Sequence, residues 1–234
     1  MKRIILTLGL ILMVFAVVFG QEEQKKTEKQ EYVPNKIGIS FYLGGVLPSL
    51  EMNDAMDKSL VIPGRNYAGK GGSAMFGASL GLKYNYIFKT KSQKSTGVGV
   101  FLSSDVLWNQ FNKEMRTMYD TVKCTAPMYV NVPIIAGVNY TTQFSNVIAF
   151  WVEVGAGTDL FIKTTEGWEG ETNDYYVSAK FAAEAGAGIL LARTLSLGAH
   201  YYYLGNHDIK EIRENSIDSK MKMGAWVFKL GFHF

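Results

Sequence analysis

Residues 226–234, Trp-Val-Phe-Lys-Leu-Gly-Phe-His-Phe, end the chain on a strand pattern. Their large apolar side chains recur at every second position, which is typical of a β-strand with one apolar face. At the edge of a water-soluble sheet, such a strand would expose unpaired backbone groups and invite aggregation. We therefore expect it to belong to a closed barrel in lipid, which has no free edge. The alternating residues are Trp226, Phe228, Leu230, Phe232 and Phe234.

This strand resembles the C-terminal signal of bacterial outer-membrane barrels, an alternating aromatic strand whose last residue is Phe. The resemblance implies that the barrel-assembly machinery is a partner of this chain. It also implies that the five alternating residues, ending at Phe234, form the assembly signal.

The start of the chain predicts export. Lys2 and Arg3 precede an apolar run over residues 4–19, which is short for a membrane span and typical of a signal-peptide core. The small residue Gly20 favours cleavage after it, so residues 1–20 are expected to be a signal peptide. The alternative is an uncleaved inner-membrane anchor.

The charge and polarity of the remaining chain exclude some partners. The formal net charge is +3 and falls to +1 without Lys2 and Arg3, which gives no electrostatic case for binding nucleic acid. Residues 21–36 alternate Glu and Lys with few apolar residues, so they predict a polar periplasmic tail. A helical coil is the alternative, although the segment lacks an apolar seam.

The period of two returns throughout residues 37–234. With the terminal strand, the alternating segments predict eight strands, an even number as single-chain bacterial barrels have. The predicted fold is an all-β, eight-stranded antiparallel up-and-down transmembrane β-barrel. The seven earlier segments are 37–44, 76–88, 98–109, 128–140, 150–160, 177–189 and 195–203.

The connections between these segments alternate in length. Long external loops and short periplasmic turns are characteristic of outer-membrane barrels, whereas a soluble sandwich or lipocalin has no reason to alternate them. The alternation predicts both termini in the periplasm. The long connections are 48–72, 110–125, 163–174 and 205–220, and the short ones are 89–95, 141–146 and 192–194.

The two faces of the predicted strands differ. Charges facing lipid would cost a few kcal/mol each, so the polar face is expected to line the interior. Such charges would pair in a salt-bridge network, and a narrow polar pore is the alternative. The polar residues are Lys83, Asp105, Glu153, Asp159, Lys180, Glu184, His200 and Lys229.

Aromatic residues on the opposite, apolar face suggest two girdles at the membrane interfaces. Those expected near the periplasmic ends are Tyr84, Tyr86, Phe88, Tyr140, Phe232 and Phe234, and those near the external ends are Trp108, Tyr201 and Tyr203.

Several segments carry a family resemblance. Residues 129–137 (Tyr-Val-Asn-Val-Pro-Ile-Ile-Ala-Gly) and 150–157 (Phe-Trp-Val-Glu-Val-Gly-Ala-Gly) are similar to a strand pair of Bacteroidetes outer-membrane β-barrel proteins. Residues 201–205 and the terminal strand fit the same family, which is labelled porin family or PorT-like and consists of small barrels of the OmpA/OmpX-like kind. The resemblance implies an integral protein of a Gram-negative outer membrane. Pro133 within a strand requires an unpaired or bulged position.

Three other features have an ordinary interpretation. Residues 64–71 nearly match a phosphate-binding loop, but Gly71 replaces the required Ser or Thr, so we interpret them as a glycine-rich external loop. Cys124 is a lone cysteine and is interpreted as a tolerated loop residue. The three histidines lack metal-ligand spacing, so we predict no metal site and no cofactor.

The favoured function is a non-enzymatic, monomeric outer-membrane barrel that is structural or binds a ligand or partner through its external loops. Outer-membrane lipid and lipopolysaccharide are the expected surroundings. One alternative is a small pore. The other is a lipid A-directed hydrolase or acyltransferase, for which the candidate groups are His200 with Glu184 or Asp159, and Ser103 or Ser178.

Overall fold

The computed structural model describes eight stretches of the chain. The predicted signal peptide, the predicted tail over 21–36, the glycine-rich segment 64–71 and Cys124 lie outside them, so these assignments stay predictions. The described residues are 37–52, 74–88, 96–110, 128–145, 147–164, 175–192, 194–209 and 219–234.

Eight strands form one closed antiparallel barrel, in which each strand pairs with its chain neighbours and the first pairs with the last. The predicted fold class is confirmed. The strands are β1 (Ile37–Leu50), β2 (Gly77–Ile87), β3 (Thr96–Gln110), β4 (Met128–Gln143), β5 (Ile148–Thr164), β6 (Tyr175–Leu191), β7 (Leu195–Ile209) and β8 (Ser219–His233).

The outer surface of the barrel is apolar. Among the described residues, no helix has the length and hydropathy of a membrane span. The outward side chains of the strands alternate with buried ones, as the period of two predicts. Outward side chains that are 41% to 62% exposed include Leu80, Leu82, Val98, Val100, Leu102, Val106, Val138, Val152, Val154, Phe181, Trp226 and Phe228.

The barrel closes between β1 and β8. The register runs from Ser40 opposite His233 to Leu50 opposite Met223. At the end of the chain, the Phe234 amide donates a 2.9 Å hydrogen bond to the carbonyl of Ile39. Closure gives the first and last strands a partner on both sides, which an open sheet in lipid would lack.

The connections emerge at two rims. The terminal rim carries both ends of the described barrel and the short connections 88–95, 144–147 and 192–194. The loop rim carries the remaining connections, which are 51–76, 111–127, 165–174 and 210–218.

The last hairpin is longer than the sequence indicated. We predicted a loop over residues 205–220, and this is wrong, since Gly205 pairs with Met223 and the ladder continues to Ile209 opposite Ser219. The register shifts between Tyr203 and Gly205, where Gly205 has φ of 94°. This bulge inserts one residue into β7 and changes which positions face inward. The strict alternation of the sequence therefore stops at the bulge, although the strand continues to Ile209.

Two prolines lie within strands. The predicted loop start at Pro48 is wrong, because β1 continues to Leu50 and Pro48 lies opposite Ala225 of β8. Pro133 lies opposite Asp159 of β5 but has no partner in the register with β3. A proline has no amide hydrogen to donate, so a position unpaired on one side suits it.

The half of the lumen next to the loop rim contains a group of fully buried apolar side chains, which we call the apolar plug. Each is at most 1% exposed, as expected for an eight-stranded barrel whose interior is just wide enough for side chains. The plug comprises Val46, Met52, Leu107, Tyr129, Phe161, Leu204, Met221 and Met223.

Deleting Phe234 is expected to impair closure, because it removes the backbone bond to Ile39 and an edge-to-face ring contact with Phe41 at 5.9 Å. Heat-modifiable migration on detergent gels measures the folded fraction, which should fall relative to wild type. The matched control is Phe144→Ala, which removes an exposed aromatic ring at the same rim. Equal folded fractions for the deletion and the control would contradict this role for Phe234.

Candidate functional site

The predicted polar residues face the lumen. Seven of them are at most 5% exposed, and Lys180 is half-buried on the same inward face of β6 as Ser178 and Glu184. The seven are Lys83, Asp105, Glu153, Asp159, Glu184, His200 and Lys229.

Most of these groups form a central cluster in the middle of the barrel. Register and alternation place them there, since inward side chains of all eight strands meet in the narrow lumen. The central cluster consists of Lys83, Asp105, Glu153, Glu184, His200, Tyr202 and Lys229.

Lys83 and Glu153 form the first ion pair of the central cluster. The Lys83 Nζ donates a hydrogen bond of 2.6 Å to Glu153 Oε2, across the lumen from β2 to β5. Three aromatic rings, those of Tyr42, Phe101 and Trp151, lie 5.1 to 5.4 Å from the ammonium. Their π faces stabilise the cation where water does not reach it.

Lys229 and Asp105 form the second ion pair. Lys229 Nζ lies 2.8 Å from each carboxylate oxygen of Asp105 and donates a 2.7 Å hydrogen bond to the Tyr202 hydroxyl. That hydroxyl donates in turn to Asp105 Oδ2 at 2.8 Å. Each member of this three-residue ring therefore contacts both others, which lowers the cost of burying the charges.

Glu184 and His200 complete the central cluster without direct hydrogen bonds. The Glu184 carboxylate lies near the Tyr202 hydroxyl, but neither of its oxygens has hydrogen-bond geometry. His200 Nδ1 lies 3.5 Å from Glu153 Oε1, beyond a good hydrogen bond. The His200 ring packs against Trp151, with 5.3 Å between centroids.

A second group, the loop-side cluster, consists of Asn131, Asp159, Ser178 and His207. His207 Nε2 lies 3.0 Å from Asp159 Oδ2 and 2.7 Å from the Leu204 carbonyl oxygen. Because both neighbours are acceptors, this nitrogen carries a hydrogen, and Nδ1 forms a 3.0 Å hydrogen bond with the Ser178 hydroxyl. Asn131 donates to Asp159 at 2.6 Å, so the carboxylate is held from two sides.

The third histidine lies near the terminal rim. His233 Nδ1 is 2.8 Å from Ser40 Oγ of β1, and its Nε2 is 2.7 Å from Ser196 Oγ of β7. The side chain therefore joins β8 to both neighbouring strands next to the seam.

The hydrolase hypothesis placed His200 with Glu184 or Asp159. The structure places His200 next to Glu153 and within 4.8 Å of Glu184, whereas Asp159 and Ser178 contact His207. His207 was not predicted as a site residue, because the bulge ends the strict alternation at Gly205 and placed His207 in the predicted loop over 205–220. A glycine inside a strand pattern is the signal that could have revealed it.

Tyr202 was also missed as a member of the network, since its neighbours Tyr201 and Tyr203 suggested an outer aromatic girdle. Its hydroxyl is the group that joins Lys229 to Asp105. Tyr202 shares the inward phase of His200, which is the only sign of this role in the sequence.

Comparisons with known proteins give a likeness of fold. Neisserial surface protein A superposes with a TM-score of 0.50 at 9% identity, over 85% of this chain and 96% of that one. The chain has the fold of a small outer-membrane barrel. No protein-family model matches the chain, and a search of curated proteins gives no match.

Two further solved structures are similar to a lower degree. Ail, the attachment invasion locus protein of Yersinia pestis, gives a TM-score of 0.48 at 15% identity, over 85% of this chain and 99% of that one. The outer membrane enzyme PagL gives a TM-score of 0.39 at 12% identity, over 84% of this chain and 98% of that one.

Replacing Lys229 by Met is expected to lower the free energy of unfolding by roughly 3–5 kcal/mol, because Asp105 would be left as a buried charge without its partner. Adding Asp105→Leu should recover part of this loss, since the unpaired charge is then removed. Urea titration in detergent micelles, followed by tryptophan fluorescence, measures both effects. The control is Lys222→Met at an exposed lysine of the same strand. Equal losses for the two single variants would contradict a stabilising ion pair.

Proposed function

We propose that this chain is an integral outer-membrane barrel without enzymatic activity, which binds a ligand or partner through the connections of its loop rim. The terminal rim faces the periplasm and the loop rim faces the cell exterior. Export through a cleaved signal peptide over residues 1–20 is part of the proposal, as is a monomeric state.

The outer surface supports the membrane location. Half-exposed Leu, Val and Phe side chains surround the barrel, and a water-soluble protein rarely exposes so large an apolar area. The charged groups of the strands' middle portions, including Lys83, Asp105 and Glu153, are buried in the lumen. A barrel that is apolar outside and charged inside fits lipid.

The filled lumen is the observation that carries the functional proposal. The apolar plug lies on the loop-rim side of the central cluster, and the residues of both clusters pack against it. A water-filled pathway requires a lumen that side chains leave open, so the packing favours a closed barrel over the pore alternative. Binding is then left to the connections at the loop rim, of which 51–76 and 111–127 are the longest.

The lipid-directed enzyme alternative has one arrangement in its favour. Ser178, His207 and Asp159 lie in a row of hydrogen bonds that resembles the order of a hydrolytic triad. However, His207 and Asp159 are fully buried in the lumen, while a lipid substrate lies on the other side of the barrel wall. The row therefore fits a structural role better than lipid hydrolysis.

We further propose membership of the Bacteroidetes porin-family barrels. The resemblance rests on residues 129–137 and 150–157, which form parts of the adjacent strands β4 and β5. Lipopolysaccharide around the barrel and the barrel-assembly machinery at β8 are the partners that this proposal includes. Of the proposed assembly signal, Trp226, Phe228, Leu230 and Phe232 lie on outward positions of that last strand, and Phe234 follows its end.

Cys124 offers a direct test of the orientation, because it lies between β3 and β4 in the sequence and is the chain's single cysteine. A membrane-impermeant maleimide applied to intact cells should label Cys124. In the matched control, Cys124→Ala combined with Thr194→Cys moves the thiol to an exposed position at the terminal rim. That variant should be labelled only after the outer membrane is permeabilised. The opposite pattern would show an inverted barrel and refute binding at the cell surface.

A further inference from the structure

Glu153, Glu184 and His200 form a compact group on three successive strands. One possible ligand atom from each residue lies within 4.8 Å of the others. Gly186 makes this approach possible, since it pairs with Glu153 on β5 and with His200 on β7. A Cβ at Gly186 would lie 2.6 Å from His200 Nδ1, so a larger residue there would displace the imidazole.

The polar atoms of this group lack hydrogen bonds from the described protein. They are both nitrogens of His200, both oxygens of Glu184 and Oε1 of Glu153. His200, Glu184 and Glu153 are only 1%, 5% and 3% exposed, respectively. A buried polar atom without a partner costs about 1–3 kcal/mol, so a group of such atoms aimed at one another is expected to hold water or a bound ion.

The charge of the central cluster indicates a cationic ligand. Asp105, Glu153 and Glu184 contribute three carboxylates, whereas Lys83 and Lys229 contribute two ammonium groups. With a neutral imidazole and an ionised Glu184, the cluster carries one excess negative charge. A bound cation offsets that charge and keeps the Glu184 carboxylate ionised, whereas an anion or an uncharged sugar does neither.

The spacing between His200 and Glu153 suits a small metal ion, and the three possible ligand atoms lie within 4.8 Å of one another. A tetrahedral zinc site with bonds of 2.0–2.1 Å places its ligand atoms about 3.3–3.4 Å apart. His200 Nδ1 and Glu153 Oε1 are 3.5 Å apart, too far for a good hydrogen bond and close to this ligand spacing. Lys83 holds the other oxygen of Glu153 at 2.6 Å, which orients Oε1 toward the group.

We propose that Glu153, Glu184 and His200 bind a divalent transition-metal ion in the lumen, with imidazole nitrogen and carboxylate oxygens as ligands. This donor set suits Zn²⁺ and similar ions better than Ca²⁺ or Mg²⁺, which prefer oxygen ligands alone. The ion joins β5, β6 and β7 from inside the barrel. This inference does not depend on what the loop rim binds.

The test uses the full chain, refolded in detergent with chelator and then titrated with Co²⁺ or Zn²⁺. Metal is also added before refolding, because the packed lumen hinders entry afterwards. Binding of a single Co²⁺ should produce visible absorption bands that Zn²⁺ abolishes by displacement. Zn²⁺ should also raise the midpoint of thermal unfolding, since it binds the folded state.

Variants assign the ligands. His200→Gln and Glu184→Gln should each weaken metal binding by about 100-fold or more. Loss of a residue that only orients a metal ligand typically costs about 10- to 100-fold, so a larger loss indicates direct coordination. His200→Cys should retain binding and add a thiolate-to-cobalt band in the near ultraviolet, which a merely structural residue would not produce. The control His233→Gln changes another lumenal histidine and should bind normally.

The proposal would be overturned if the folded wild type showed no saturable metal binding both when metal is added after refolding and when it is added before. So would unchanged affinity in His200→Gln and Glu184→Gln, because the bound metal would then lie elsewhere. If His200→Gln does not fold on the gel assay, Glu184→Gln and His200→Cys decide the outcome.

Discussion

The pairing of charges inside the barrel is the interaction on which the rest of this structure depends. A lysine removed from water destabilises the fold unless a carboxylate and further hydrogen bonds compensate for its lost hydration. Lys83 and Lys229 meet this requirement with Glu153 and Asp105, from strands on different sides of the lumen. These contacts join non-neighbouring strands and keep these four charges off the lipid-facing wall.

Filling the lumen follows from the same requirement. Ion pairs need packed neighbouring side chains that keep the charged groups in place. Around Lys83, three aromatic rings do this. Glycines on the inner wall make room for such large groups, as Gly186 does for the His200 ring. The apolar plug and the loop-side cluster then occupy the remaining width toward the loop rim. The barrel is therefore stabilised by a solid core, as a soluble domain is, while its outer wall meets lipid.

The sequence was sufficient for the architecture because alternation is a local property of each strand. It predicted the strand number, the two faces and the inward position of residues such as Asp105 and Lys229. It did not predict which inward residues meet, since this depends on the register of strands far apart in the chain. The bulge at Gly205 shows a second limit, because one inserted residue reversed the phase and concealed His207.

A closed, ion-paired lumen is the central claim of this account, and conductance across planar lipid bilayers tests it most directly. The refolded chain, inserted in salt solution, is expected to give no steady conductance, because the apolar plug and the central cluster occupy the pathway. Sustained, stepwise conductance from the folded wild type would contradict the account and favour a pore.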